Sequence, residues 1–354
     1  QPPPVMPDSG GIAIVGVQTK GAMAADMSYD ARGLGKFFAR RDALAIMLAG
    51  LLWLAGAALR PDYWWNLPNT FALLLNYTEV ALIAVGLTYV IAAGDIDLSV
   101  GAIMVLSSVV MGRLAVVSGV PVPIAFSAGL LTGVACGYIN GLLVTRLRLP
   151  PFIVTLGTWS IFGAILLFYS RSETIRQQDV EQAAGMLQWT GTAFQVGAAR
   201  LTYGSILMLV LAGIIWYVLN RTAFGRHLYA TGDDPNAARL AGINTNRTLL
   251  ATYSLAGLIC AIAGWILIGR IGAVSPLSGA TANLDSITAV VIGGTSLFGG
   301  RGSIIGTLIG ALIVGLFRNG LALAGLDALW QEFAVGVLIV VAVSMDQWIR
   351  RISG

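Results

Sequence analysis

The hydrophobic positions of this chain fall into ten apolar runs separated by short polar segments. Most runs have about 17–25 residues, the length that a helix needs to cross the hydrocarbon core of a bilayer. The pattern predicts an all-α polytopic membrane protein with about ten transmembrane helices, of which the eighth is short. The predicted spans are about 43–59, 72–93, 98–117, 122–144, 151–169, 202–219, 248–269, 284–298, 303–323 and 329–346.

The composition supports a surface that faces membrane lipid. Hydrophobic residues make up 56% of the chain and charged residues only 11%, whereas a soluble domain carries about 25% charged residues. The 44 glycines predict close contacts between helices, because lipid supplies no hydrophobic drive for their association. Cys136 and Cys260 lie in apolar runs and are expected to be buried. With one histidine and no cysteine cluster, we expect no metal site. A nucleic-acid partner is not expected either.

The distribution of basic residues predicts the orientation. An even number of spans puts both termini on one side, and basic residues are about twice as numerous in the segments on that side. The N and C termini are therefore predicted to be cytoplasmic. Residues 1–42 are predicted to form a mostly disordered cytoplasmic tail, and residues 43–350 a transmembrane domain with an external loop at 170–200 and a cytoplasmic loop at 220–247. Residues 179–186 of the external loop predict a short surface helix.

A polar segment between spans six and seven, Ala230–Ile243, predicts a short helix. Asp234 can cap this helix, Pro235 suits its first position, and Gly242 can end it. A compact helix on the cytoplasmic face is a surface on which another protein can act. The residues predicted to form this contact are Gly232, Asp233, Asp234, Asn236, Ala237, Ala238, Arg239, Leu240, Gly242 and Ile243.

Two carboxylates, Asp95 and Asp97, interrupt the apolar pattern between the second and third spans. Such residues are costly at the edge of a bilayer unless they cap a helix, pair or face water. The favoured interpretation is structural, with Asp97 capping the third span. Handling of a substrate or proton and contact with a partner are the alternatives.

The eighth span ends in a glycine-rich segment, Gly293–Ser303, that predicts a broken helix. It lacks the Gly-Lys-Ser/Thr of a phosphate-binding loop, so we expect no ATP hydrolysis by this chain. Irregular backbone at membrane depth needs cover from protein or a water-filled cavity. A similar small-residue break follows Val90, 201 positions before the corresponding Val291. Paired breaks of this kind often flank a transport path.

The remaining polar residues within the spans suggest a route for a neutral, hydroxyl-rich solute, because they are mostly amides, alcohols and aromatics. Each one alone can also serve as a hydrogen-bonding contact between helices, and Glu79 can reach the membrane interface instead. The predicted translocation path comprises Asn76, Glu79, Asp95, Asp97, Ser99, Asn140, Thr155, Thr158, Trp159, Asp285, Thr295 and Ser296.

Three segments carry a family resemblance. Gly94–Gly101 (Gly-Asp-Ile-Asp-Leu-Ser-Val-Gly), Ala230–Ile243 and Asp285–Gly302 resemble blocks of the permeases of ribose, xylose, galactoside and fructose ABC importers. The likeness covers roughly residues 43–350. This chain has Ala-Gly at 93–94 where many relatives have Gly-Gly, and Gly-Asp-Asp at 232–234 where many have Gly-Gly-Asn. Residues 150–158 and 172–176 look most like permeases for fructose.

The resemblance implies a multi-pass permease of the bacterial inner membrane that imports a monosaccharide. It implies a second permease copy, an ATPase pair that binds ATP and magnesium on the cytoplasmic face, and a periplasmic sugar-binding protein. The permease itself would need no cofactor and catalyse no reaction. Asp233–Ile243 would be the coupling helix, through which closure of the ATPase switches the side to which the central cavity opens.

Two other functions are consistent with parts of the sequence. A secondary sugar carrier could be driven by protons through Asp95, Asp97 or Glu79, but these residues lie near span ends and Ala230–Ile243 would have no purpose. A membrane-embedded enzyme could use Asp95 and Asp97, but a single histidine and no dense acidic cluster argue against it.

Overall fold

The helices of the protein follow the apolar runs closely. The computed structural model describes residues 50–54, 56–58, 77–196 and 199–353, and the predicted tail lies outside them. Residues 50–54 and 56–58 are helical. The helices that follow are α1 (Thr78–Ala92), α2 (Val100–Gly112), α3 (Val122–Arg146), α4 (Pro151–Ser170), α5 (Gln177–Ala184), α6 (Tyr203–Arg221), α7 (Ala223–Asp233), α8 (Pro235–Leu240), α9 (Thr245–Ile271), α10 (Ala282–Ile292), α11 (Ile304–Leu323) and α12 (Ala328–Ser353).

Six helices in the described part of the chain are long and apolar enough to cross a membrane: α3, α4, α6, α9, α11, and α2 with the π-helical turn Arg113–Val117 that extends it. Helices α1 and α10 and the first half of α12 are apolar but shorter. The predicted eighth span, 284–298, ends early at Ile292 because the glycines that follow form a turn. The fold is therefore that of an all-α membrane protein, with one exception.

The exception is a small hairpin in the predicted external loop. Strands β1 (Ala193–Val196) and β2 (Ala199–Thr202) pair antiparallel, and strands of four residues are too short to leave a clear alternating pattern in the sequence. The surface helix predicted at 179–186 is confirmed as α5, which continues into the 3₁₀ helix Gly185–Gly191.

Helix α1 occupies the centre of the bundle. All 15 of its residues are buried, as expected of a helix that is apolar on every side. It packs against α9, α10, α11 and α6. Helices α3, α4 and α6 instead bury one stripe each and expose many large apolar side chains. These exposed faces suit contact with lipid or with a second protein.

The most extensive contact between two helices in the described part of the chain, that of α3 with α9, confirms the predicted use of glycine. A Cβ atom added at Gly133 would meet the carbonyl oxygen of Gly257, and one at Gly137 would meet that of Tyr253. The two backbones thus touch directly. Van der Waals packing of this kind holds membrane helices together, because lipid supplies no hydrophobic driving force for their association.

Candidate coupling and translocation site

Helix α8 forms as its sequence predicts. The Asp234 carboxylate accepts hydrogen bonds from the amides of Asn236 (2.8 Å) and Ala237 (3.1 Å), and Pro235 is the first helical residue. At the other end Gly242 has φ +83°, and the amide of Ile243 donates to the carbonyl of Ala238 at 3.0 Å. This is the left-handed turn that commonly ends a helix. Both caps of the predicted helix are confirmed.

Most of α8 lies at the surface of the described structure. Ala238 is its one buried residue, whereas Leu240 is 91% exposed. Arg239 bends back toward the bundle, where its Nε donates to the Thr245 hydroxyl at 3.0 Å. The helix therefore presents a large apolar side chain outward while it is held to α9.

The segment before α8 is a helix that the sequence analysis missed. Thr222 caps α7 by accepting from the amide of Gly225 at 3.4 Å. Near the end of α7 the Tyr229 hydroxyl donates to the carbonyl of Gly302 at 2.8 Å. Burial raises the pKa of Tyr229 to about 12, so the hydroxyl keeps its proton and remains a donor at physiological pH.

The three segments of the family resemblance meet at one point. The amide of Gly300 donates to the carbonyl of Ala92 at 2.9 Å. A Cβ atom at Gly232 would touch the Ala92 carbonyl and the Gly300 amide, and one at Gly299 would touch Gly232 and Gly94. We call this place, formed by residues 92–94, 229–233 and 299–302, the glycine junction. Backbone packs directly on backbone there.

The two broken segments at the junction end their helices in the same way. Gly94 (φ +90°) and Gly294 (φ +84°) are left-handed, and each donates to the carbonyl three residues earlier, at 2.9 and 3.0 Å. The next amides, of Asp95 and Thr295, donate to the carbonyls five residues earlier, at 3.1 and 3.2 Å. The equivalent positions are thus 200 apart, and the offset of 201 that the sequence suggested is wrong by one residue.

Asp97 does not cap α2, contrary to the expectation. Its Oδ1 accepts from the amide (2.7 Å) and hydroxyl (2.6 Å) of Ser99, which is itself the N-cap residue. The second amide of the helix, of Gly101, donates instead to the side chain of Asn283 on α10. Asp97 lies too early in the chain to reach that amide, so the cap is supplied by a distant residue.

A buried polar cluster surrounds this irregular stretch. Asn140 donates to the Ser99 hydroxyl at 2.8 Å, and Thr155 donates to the carbonyl of Ile96 at 3.0 Å. Asp95 accepts from the Tyr253 hydroxyl at 3.1 Å. The Asn140 side-chain carbonyl is buried without a hydrogen-bond partner. Protein thus covers Asp97 and Ser99 in this irregular stretch, whereas Gly94 at its start is exposed.

Two other acidic residues form buried ion pairs away from the junction. Glu79, 3% exposed, pairs with Arg270 near the opposite end of α1. Asp285, also 3% exposed, accepts from Arg318 at 2.7 Å, and Arg318 also contacts Glu332 at 2.9 Å. The Glu79 carboxylate is therefore held inside the described structure by an arginine.

The remaining predicted path residues are dispersed. The hydroxyl of Thr158 is buried and donates within α4, whereas Trp159 is 44% exposed on the surface of that helix. Thr295 and Ser296 shape the second break by accepting from the amides of Ser303 (3.4 Å) and Phe298 (3.3 Å). Asn76 lies outside the described residues.

The structure thus brings five predicted residues together, namely Asp95, Asp97, Ser99, Asn140 and Thr155, and places Glu79 and Asp285 elsewhere. Sequence reasoning missed Tyr253 and Arg270 as the partners of Asp95 and Glu79, and it missed Tyr229 as the donor to Gly302. A tyrosine or arginine near a span end is common in membrane proteins, so these residues gave no distinguishing signal.

Comparison with known proteins identifies the family. Residues 69–343 match the family described as branched-chain amino acid transport system / permease component. The chain belongs to this permease family. No solved structure matches the permease significantly.

Several characterised relatives of the permease carry sugar names. It is 55% identical to a fructose import permease protein of Rhizobium meliloti over 288 residues, 80% of each chain. It is 41% identical to a ribose import permease protein of Bacillus subtilis, over 79% of this chain and 84% of the relative. A xylose transport system permease protein of Escherichia coli is 33% identical over 80% of this chain and 86% of its own length.

These matches confirm the resemblance to sugar ABC importer permeases that the three motifs carry. Together with the apolar helices, they describe a multi-pass protein of the bacterial inner membrane. The relatives are named as permeases, which are transport components rather than enzymes.

Proposed function

We propose that this protein is the permease subunit of an ATP-driven importer and that it passes fructose across the inner membrane by alternating access. The observation that carries the proposal is α8, a doubly capped helix with an outward Leu240, which Asp234 joins to α7, the helix whose last residues lie at the junction with the two broken segments. The 55% identity to a fructose import permease favours fructose among the monosaccharides.

The ATPase partner would contact α8. Leu240 is 91% exposed, so a partner seated on α8 would remove a large apolar side chain from water. The permease would contribute this contact and the partner would bind ATP and magnesium. By the same proposal the junction end of the bundle and both termini are cytoplasmic.

A periplasmic binding protein would deliver the sugar at the opposite end. Two cavities of about 510 and 650 Å³ lie there on either side of Arg113. Arg113 is held by the carbonyl of Ser170 at 2.8 Å and by Glu173 at 3.8 Å. This shallow surface of mixed polar and apolar residues is open to a protein that docks and releases.

The importer would contain two copies of this permease. Helix α4 buries only a stripe of its surface and leaves Leu156, Trp159 and Phe168 exposed, so a second copy has apolar surface on which to pack. Native mass spectrometry of the complex in nanodiscs should give two permease chains for each pair of ATPase subunits.

The test of the proposed function compares Leu240→Asp with wild type. The protein is purified in mild detergent from its own membranes, and ATP-dependent uptake of labelled fructose is measured after reconstitution with the binding protein. We expect a P-loop ATPase to accompany the wild type, and both its recovery and the uptake to fall at least tenfold in the variant.

A matched control is Leu277→Asp, which places the same charge at a position 75% exposed at the opposite end. It should keep the ATPase. A wild-type permease that is isolated without any ATPase, or that takes up fructose under a proton gradient alone, would disprove the proposal and favour the secondary carrier.

A further inference from the structure

The glycine junction lies on the path by which α8 can move the membrane helices. In the described structure α8 packs mainly against α7 and α9. Helix α7 leads directly into α8, because only Asp234 separates them. The last residues of α7 form one side of the junction, so a displacement of α8 reaches the junction without passing through a flexible loop.

The junction has the structure of a rigid contact. At Gly232 and Gly299 the nearest atoms are main-chain atoms, and the Gly300 amide donates a hydrogen bond of 2.9 Å to the Ala92 carbonyl. Gly300 also lies against the side chain of Asp233. Side chains can exchange rotamers when two surfaces slide, but main-chain atoms in contact have no such freedom. Closely packed elements of this kind move together rather than deform.

Helix α1 ends at this contact, at Ala92. Helix α10 ends at Ile292, and the segment that follows it is tied to the junction by hydrogen bonds of 3.1 Å from Gly299 to Ser296 and from Ser296 to Arg301. Both helices are followed by the same left-handed turn. A further hydrogen bond, from Tyr229 to Gly302, ties the segment that begins α11 to the same point. A single displacement therefore acts on the ends of helices from both halves of the chain.

We propose that the glycine junction is a rigid joint that passes the movement of α8 to the ends of α1 and α10. Gly232, Gly299 and Gly300 are then positioning residues for transport. This inference rests on the proposed function of α8 as the contact with the ATPase, and it adds the route by which that contact acts on the sugar path.

A disulfide across the junction tests the rigidity. An ideal Cβ atom at Gly300 lies 3.2 Å from the Cβ of Asp233, close to the 3.5–4.5 Å that a disulfide spans. The variant Asp233→Cys/Gly300→Cys is reconstituted with its ATPase and compared with itself in the oxidised and reduced states, so any cost of the substitutions cancels. Cys136 and Cys260 are buried and add no competing thiol at the surface.

We expect the oxidised and reduced forms to import fructose at rates that agree within about twofold. A loss of tenfold or more on oxidation, reversed by reductant, would mean that the two segments slide past each other and would overturn the inference. Mass spectrometry of the cross-linked peptide establishes that the disulfide has formed in the sample assayed.

A second variant tests the transmission of movement. In Gly232→Ala the added methyl group meets the Ala92 carbonyl and must push the segments apart. We expect the ATPase to remain bound and to hydrolyse ATP, while fructose imported per ATP falls at least tenfold. The matched control is Gly213→Ala on α6, where no atom lies within 4 Å of the new methyl group.

If Gly232→Ala imports as much fructose per ATP hydrolysed as the wild type, the inference of a rigid joint is also overturned. If the wild-type permease neither retains an ATPase nor imports fructose, the proposed function itself fails. If the wild type retains an ATPase and imports fructose, and only the oxidised disulfide variant loses import, the proposed function holds and the inference of a rigid joint is wrong.

Discussion

At the scale of single residues, the buried acidic side chains have distinct structural roles. Glu79 and Asp285 are balanced by arginines, whereas Asp97 is held by a hydroxyl and an amide of the same residue, Ser99. A buried carboxylate that loses its partner destabilises a protein far more than the pair stabilises it. The role of each arginine is therefore to neutralise a carboxylate that would otherwise be buried without a cation.

Replacing Arg270 with Gln should lower the stability by about 3 kcal/mol or more, because Glu79 would remain buried with no cation. Even with the arginine in place, the second carboxylate oxygen of Glu79 is buried without a hydrogen-bond partner. The measurement is thermal unfolding in detergent. The double variant Glu79→Gln/Arg270→Gln should recover most of the loss, and equal instability of the single and double variants would contradict this explanation.

At the scale of elements, α8 is too short to be stable by itself. Its six residues form fewer than two helical turns, and isolated helices of this length do not persist in water. Its order comes from the cap at Asp234, the turn at Gly242 and the contacts with α7 and α9. A small change at a cap should therefore affect the whole helix.

The variant Asp234→Ala should reduce fructose uptake severalfold, because the lost cap contributes about 1 kcal/mol to such a short helix. Asp234→Asn, which can accept the same two amide hydrogen bonds, should retain most of the activity. Uptake per ATP in the reconstituted complex is the measurement. Equal losses in both variants would instead indicate that the charge itself contacts the ATPase.

Features set by nearby residues could be predicted from the sequence, whereas contacts between distant residues could not. Spans and the α8 caps follow from local signals, since hydrophobicity, Asp234-Pro235 and Gly242 act within a few residues. The junction and the cap of α2 by Asn283 join positions far apart in the chain, and no local pattern specifies such contacts. The cluster around Ser99 was predicted as a set of residues but not as a network, for the same reason.

At the scale of the whole molecule, the two ends of the bundle differ in construction. One end carries the glycine junction and α8. The other carries the hairpin, α5 and a stack of Trp189 against Tyr203 with ring centroids 4.7 Å apart. The proposed orientation places the first end in the cytoplasm and the second in the periplasm.

Cysteine labelling should reveal this asymmetry. In spheroplasts of cells that lack the ATPase subunit, a membrane-impermeant maleimide should label Leu277→Cys directly but label Leu240→Cys only after the membrane is permeabilised. Both positions are strongly exposed, at 75% and 91%. The two natural cysteines are buried and give little background. The reverse labelling pattern would show that the termini face outward.

The pairing of Glu79 with Arg270 also has a consequence for how the protein is made. The two residues are 191 positions apart in the chain. At about 5–20 residues per second of synthesis, the ribosome reaches the arginine roughly 10–40 s after the acid. During that interval α1 has to be sheltered from lipid by the insertion machinery or by earlier spans, so the central helix cannot take its final position until most of the chain exists.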